Sequence, residues 1–471
     1  MSGPSRRRFI GGGVALAVGC GGTKGGDTGD SAGPAVPMSR APEPTAPWGG
    51  RGADDGAAFP IGVQAGEPRP DGAVLWTRYQ GGDALSVVLA SWDGAAWSEL
   101  SSADVAVGPD GFVHHSVDAL SADTPIAYQF EDAAGARSPV GHARTATPPE
   151  HTGAVRIAAT SCTDQDHGEF PCLDQVQGVG PIDLFLWLGD MVYQDGRFTV
   201  EEYREGWAEN LTKTSFRALL SGVASVHTWD DHEVGNNWDP QTIDPAQRDA
   251  AYQAFFETIP YIPSAPQRLW RSLRYGPVEL FVLDCRGERD AAAGHYISPD
   301  QLQWLMDGLS ASDAVWKVVA NSVPISDMPI AWDALEAGLD RWEGFPNSTQ
   351  REVLLDHITD GGIMGVLFVA GDLHQTTLCR VEAEGPRSRI LETMAGPGGS
   401  FPNVAARLFG EDGVQWLYND AEWSATWMEF RADGTASLIC VDELGQRLFE
   451  ATIDVAGGAE IHSFIHPWQS E

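Results

Sequence analysis

The 471-residue sequence predicts a layered α/β domain whose strands are flanked by helices, preceded by a small all-β sandwich. Three observations carry this expectation. The chain is longer than one compact core organises, so two or three domains are expected. Between residues 58 and 148 short alternating strands are separated by strong turn signals, whereas from about 154 onward apolar strands alternate with helical patterns. A hydrophobic fraction of 42%, with seventeen Trp, supplies apolar material for both.

The first nineteen residues read as an address rather than as structure. In "SRRRFIGGGVALAVGC", Arg6 and Arg7 precede Phe9 and Ile10 in the twin-arginine export pattern, and the weakly apolar stretch that follows is too short to span a membrane. That route carries folded proteins, often with a metal already loaded. "LAVGC" resembles a lipobox with Ala17 in place of the usual leucine, making Cys20 a candidate lipidated residue; simple cleavage is the alternative. Residues 20–57, rich in Gly, Pro, Ser and Thr, read as a flexible tether. The expected location is periplasmic or cell-surface, with a possible membrane tether through Cys20. Besides Cys20 the chain has Cys162, Cys172, Cys285, Cys379 and Cys440, an odd number that cannot pair completely.

The β-sandwich is read from "GAVLWTRY", "LSVVLASW", "GFVHHSVDAL" and "PIAYQFEDAAG", separated by the turns "RPDG", "WDGA" and "GPDG". His114 and His115 lie on a strand pattern and read as packing or surface residues, and "TATPPE" reads as a linker. The α/β domain is expected over 154–456, with strands at "VRIAAT", "DLFLWLG", "VELFVLD", "WKVVANS" and "GVLFVAGD". "SPDQLQWLMDGL" predicts a helix capped by Ser298, with Pro299 first, Gln301 completing a capping box, and Leu302, Leu305, Met306 and Leu309 on one face. "TWMEFRADGTASLICVDELGQRLFEATID" predicts hairpins beside the sheet, and 457–471 a C-terminal tail.

Against 30 Lys and Arg stand 66 Asp and Glu, a formal net charge of -36 that repels a nucleic-acid backbone and excludes a nucleic-acid scaffold. A phosphate-bearing substrate must therefore be attracted locally. Several apolar strands end in polar groups suited to that task. "VRIAAT" runs into Ser161 and Cys162, "DLFLWLG" into Asp190 and Tyr193, "VHTW" into Asp230, Asp231, His232 and Glu233, and "GVLFVAG" into Asp372 and His374. Ligands of an open α/β sheet gather beyond the carboxyl ends of its strands. Carboxylates packed with imidazole, thiolate and phenolate need positive charge to offset burial, and metal ions are the simplest source. Thiolate with tyrosinate favours a Lewis-acidic, redox-capable ion such as ferric iron, while calcium or magnesium suits the carboxylates beside it. Such a cluster polarises phosphoryl oxygens and activates water. No phosphate-cradling Walker-type sequence is present.

With "GDMVY", "DDHEVGNN" and "GDLH" in this order, the chain resembles the PhoD-like alkaline phosphatases, a branch of the metallophosphoesterases. "FPIGVQAGEPRPDGAVLWTRY" is similar to that family's N-terminal immunoglobulin-like domain, and "SC" at 161, "LDCRGER" at 283, "WLMDGLSASDAVWKVV" at 304 and "DRWEGF" at 340 keep the family's order. The resemblance implies a metallophosphoesterase-type β-sandwich flanked by helices, and a secreted hydrolase of phosphate monoesters, diesters or both. It implies ferric-iron ligands at Cys162, Asp190 and Tyr193, with Asp190 bridging to calcium, further ligands at Asp372, His374 and Asn236, a ligand at Asp231 with His232 as acid, and Arg289 near the phosphate. The substrate is expected to be a small or polymeric phosphate ester and the enzyme a monomer. The sequence departs from the family pattern at Gln194, Glu343, Phe345, Gly287 and Glu288, which bears on substrate preference.

Other readings stay open at this level. Cys162 can pair with Cys172, Asp190 can cap a helix, Tyr193 and His232 can simply pack, and Arg286 and Arg289 can form surface ion pairs. Cys285, Cys379 and Cys440 read as packing residues. A phospholipase D-like phosphodiesterase acting on lipid or wall polymers and a non-enzymatic substrate-binding lipoprotein are the competing functions.

Overall fold

The computed structural model describes residues 42–326, 341–408 and 412–467. The export signal, Cys20 and the tether as far as residue 41 lie outside the described residues. Among the described residues no helix is long and apolar enough to cross a membrane.

Two sheets face each other to form the α/β body. In one, Val155–Thr160, Leu184–Leu188 and Ser225–Thr228 run parallel. In the other, Val278–Val282, Trp316–Ala320, Val366–Ala370 and Leu391–Met394 do the same. Their inner faces meet in one apolar layer that includes Ile157, Leu186, Val226, Leu280, Val318 and Leu367, all buried. Strands covered on both faces must be apolar throughout, which is why Leu184–Leu188 reads as an unbroken run rather than an alternation. Helices at Val200–Leu211, Thr214–Gly222 and Pro245–Thr258 cover the first sheet through an aromatic-rich layer, and Pro299–Ala311 with Gln350–Asp360 cover the second.

The helix Pro299–Ala311 begins as its sequence predicts, with Ser298 Oγ accepting from the Gln301 backbone N–H at 3.2 Å. Gln301 does not complete a capping box. Its amide instead bridges to the strand end, accepting from Asp284 N at 2.9 Å and donating to Asp284 O at 3.1 Å and Glu288 at 2.9 Å. A buried backbone pair left without partners would cost more than the cap contributes.

The N-terminal sandwich packs Val63–Arg69, Gly72–Arg78 and Phe112–Val117 against a four-stranded sheet. His114 lies on the face of Phe112–Val117 opposite to Val113 and Val117, with Nε2 2.9 Å from Ile259 O, a packing role. The sandwich's three-stranded sheet is also continuous with the first sheet of the α/β body, because Val63–Arg69 pairs in parallel with Ser225–Thr228 at Gly66↔Ser225. Arg204 reinforces this join by bridging Asp110 at 2.8 Å and Glu257 at 2.7 Å. At the opposite edge the hairpins extend the first sheet, and Ala459–Phe464, expected as tail, pairs with Arg447–Asp454 as its last strand. Its largely exposed polar side chains suit an edge strand.

Candidate active site

The polar residues at the strand ends converge. Cys162 follows Val155–Thr160, Asp190 follows Leu184–Leu188, and Asp230 to Glu233 follow Ser225–Thr228. Arg286, Ser322 and Asp372 follow three parallel strands of the facing sheet. The tips are joined by backbone hydrogen bonds, Cys162 N to Gly189 O at 3.2 Å and Gly398 N to Ser161 O at 2.7 Å. A Cβ on Gly189 would lie 2.5 Å from Asp230 Cβ, and one on Gly371 would lie 2.6 Å from Ser161 Cβ, so each "GD" step needs its glycine for backbone approach. Cys162, Asp190, Asp372 and His374 all hold positive φ, at 57°, 53°, 66° and 51°. This conformation is uncommon for side-chain-bearing residues and costs about 1–3 kcal/mol each; its concentration at a site points to function.

Three donor groups result, each with its ligand atoms within 4.8 Å of one another: Cys162, Asp190 and His374; Asp190, Asp231 and His232; Asp230, Asp231 and Asp372. Asp190 and Asp231 each belong to two of them. Cys162 Sγ lies 3.6 Å from Asp190 Oδ2, and Tyr193 Oη lies 2.8 Å from His374 Nε2. His374 Nδ1 lies 2.8 Å from the Phe401 carbonyl, which can only accept, so Nδ1 carries the proton and Nε2 offers a lone pair toward Tyr193. Cys162 and Cys172 are both free thiols, which removes the disulfide alternative.

The electrostatics of the cluster are those of a site built for cations. Burial, the Asp231, Asp230 and Glu233 charges together hold the Asp190 carboxyl well above its ordinary range. Burial and the Asp190 charge push the Cys162 thiol far up, and burial with the Cys162 and Asp190 charges does the same to Tyr193. Burial lowers His374 to about 4, keeping its imidazole neutral. Asp231 is held low despite burial by His232 and Arg286, and its Oδ1 has no hydrogen-bond partner, although Arg286 Nη2 stands 3.7 Å away. A thiol, a phenol, a neutral imidazole and a shared carboxylate around one point fit a Lewis-acidic ion that replaces their protons, and the all-carboxylate side fits a harder one.

His232 stands at the mouth of the cluster, its ring stacked on Tyr193 with centroids 3.9 Å apart and its Nδ1 2.9 Å from Asp195 Oδ2. Burial opposes its charge, but Asp231 and Asp195 outweigh burial and raise it to about 9. In the metal-free protein the proton is thus held more tightly in the folded state than in the unfolded one. The resulting stabilisation is complete below the unfolded value of about 6.5 and is lost as pH rises through about 9. Urea denaturation of metal-free wild type and His232→Gln should therefore show a stability gap that shrinks across this window; a gap independent of pH would contradict the assignment.

Arg289 does not face the cluster. Its Nε donates to Cys285 O at 2.5 Å and its Nη2 to Tyr296 Oη at 2.6 Å, with the guanidinium over the Tyr296 ring. The guanidinium at the centre belongs to Arg286, fully buried, with Nε and Nη2 each 2.8 Å from Asp230 and Nη2 3.3 Å from Asp372. Asn236 is exposed at the rim, where its backbone N–H donates to Asp195 at 2.5 Å. Glu233 has a role the strand-end pattern did not convey: its carboxylate accepts from the backbone N–H of Asp190, Met191 and Asp230 at 3.1, 2.7 and 2.9 Å, fixing two strand tips at once.

Comparison with known proteins bears on this geometry. Residues 157–404 match the family described as PhoD-like phosphatase, and residues 45–147 match its N-terminal domain. Alkaline phosphatase D of Bacillus subtilis (strain 168) is 27% identical over 401 residues, covering 71% of this chain and 67% of that one. A solved structure of PhoD superposes with a TM-score of 0.75 at 21% identity, covering 87% of this chain and 93% of its own. The purple acid phosphatase PPD1 from yellow lupin (Lupinus luteus) seeds superposes with a TM-score of 0.62 at 14% identity, covering 84% and 75%. These two establish the shared fold, a layered metallophosphoesterase-type body with an all-β N-terminal domain.

Proposed function

Since this chain belongs to the PhoD-like phosphatase family, and is with it a phosphoric ester hydrolase, we propose that it is exported by the twin-arginine route and hydrolyses phosphate monoesters and diesters. Ferric iron would be held by Cys162, Asp190, Tyr193 and His374, and calcium by Asp190, Asp231 and Asp372, with Asn236 added on the family resemblance alone. The observation that carries this reading is the meeting of thiol, imidazole and carboxylates, from separate strand tips of two sheets, in groups of 4.8 Å linked through Asp190 and Asp231, with Tyr193 Oη 2.8 Å from His374 Nε2.

When bound, such cations polarise the phosphoryl oxygen and render a water nucleophilic near neutral pH. The chain's own residues do the rest. Asp195 orients His232 through Nδ1, leaving Nε2–H to protonate the departing alcohol. Glu233 holds the strand tips rigid, and Arg286 neutralises Asp230 so that the remaining carboxylates are available for cations. No side chain is needed as a covalent nucleophile. Concentrated positive charge also resolves the electrostatic difficulty of holding a phosphate in a protein of net charge -36.

The test compares nitrophenol release from 4-nitrophenyl phosphate and bis(4-nitrophenyl) phosphate before and after chelation. Both activities should fall by at least about 100-fold on metal removal and return on adding iron and calcium, not on adding either alone. Turnover of the diester alone would favour a phosphodiesterase, and activity indifferent to chelation would overturn the proposal.

A further inference from the structure

The parallel strand Leu391–Met394 ends in the loop "AGPGGSF", and that loop carries Phe401, whose side chain the mechanism leaves unused. Phe401 is 72% exposed, yet it does not sit on a loosely held segment. Its carbonyl lies 2.8 Å from His374 Nδ1. The preceding Ser400 is buried, and its carbonyl accepts from Trp423 Nε1 at 2.6 Å. Gly399 N–H donates to Cys162 O at 3.0 Å. Gly399 and Phe401 are thus tied to two candidate ligands and Ser400 between them to Trp423, and Phe401 presents an aromatic ring to water.

A second element backs the ring. His167 packs edge-on against Phe401, with centroids 4.2 Å apart and planes at 79°, and its Nδ1 lies 3.0 Å from Asp164 Oδ2. Two residues before it, Gln165 clasps the Tyr193 backbone from both sides, accepting from N–H at 3.0 Å and donating to the carbonyl at 2.5 Å. The Phe401–His167 pair is therefore fixed to the same rim as Tyr193 and His374. A rigid, water-exposed aromatic ring at that position gains by burial and by offset or edge contact with a second ring. The chain's strong negative charge disfavours an anionic lipid surface as the source of that apolar group.

Resting on the phosphatase reading above, we infer that Phe401 is a specificity-determining residue that contacts the organic group of the ester and selects phosphates of flat aromatic alcohols over those of small polar ones. The metal-loaded enzyme tests this through the ratio of kcat/KM for phenyl phosphate to that for glycerol phosphate, together with competitive inhibition by phenylphosphonate and methylphosphonate. In Phe401→Ala the ratio should fall roughly fivefold, mainly through KM for the aryl ester, with a matching weakening of phenylphosphonate relative to methylphosphonate. Phe401→Tyr, which keeps the ring, should retain both preferences. An unmoved ratio in Phe401→Ala overturns the inference. If wild type hydrolyses neither these esters nor bis(4-nitrophenyl) phosphate, the reading of the site itself falls and this inference with it; turnover of the diester alone overturns this inference and leaves the site.

Discussion

Asp190→Asn is expected to lower phosphate-ester turnover by about three orders of magnitude while making the metal-free protein more resistant to unfolding. The two effects have one cause. Asp190 belongs to both donor groups that include an imidazole, so an amide there removes the negative charge they share. Without cations that charge is unfavourable: burial and three neighbouring carboxylates raise the folded-state value far above the unfolded one. A carboxyl with a raised folded value costs stability as pH climbs above the ordinary carboxylate range, and the amide relieves that cost at neutral pH. The shape is conserved, including the acceptor for His232 N–H at 3.1 Å. Turnover assays paired with urea denaturation of the metal-free form check both signs. A variant that loses activity by unfolding would show the opposite shift, and wild-type activity would refute the site.

Arg286→Gln is expected to destabilise the protein by about 3–5 kcal/mol, because it strands a buried carboxylate. Arg286 and Asp230 are both fully buried and joined by two contacts of 2.8 Å, and among the described residues Ser322 Oγ at 2.8 Å is the further side-chain donor to Asp230. The double variant Arg286→Gln with Asp230→Asn, which leaves a neutral amide pair, should recover a large part of the loss. A double-mutant cycle on unfolding free energies measures this coupling. Additive losses would show that the pair is not the source of the effect.

The strand tips were legible because fully buried parallel strands are apolar along their whole length, so a carboxylate at the end of one stands out. Cys162, Asp190, Tyr193, Asp231, His232, Asp372 and His374 all announce themselves in this way, and the structure brings them together. The two arginines did not separate, since Arg286 and Arg289 share an irregular turn whose backbone path decides which guanidinium turns inward. Glu233 stands in the "DDHE" text, but its task as acceptor for two strand tips exists only once the tips are adjacent. Gln301 misled because its helix-start spacing is correct while a buried strand end competes for the same amide. Joining the N-terminal sandwich to the catalytic sheet depends on a pairing between Gly66 and Ser225, whose sequence separation leaves no local trace. Ala459–Phe464 reads as tail in the sequence because an edge strand needs little apolar character.

That side chains from separate strand tips hold cations at one point is open to anomalous X-ray diffraction of the protein purified from its own host. The account predicts an iron signal within bonding distance of Cys162 Sγ, Asp190, Tyr193 Oη and His374 Nε2, and a lighter cation on the Asp231 and Asp372 side of Asp190. Iron bound elsewhere, or none within reach of these four side chains, would contradict it.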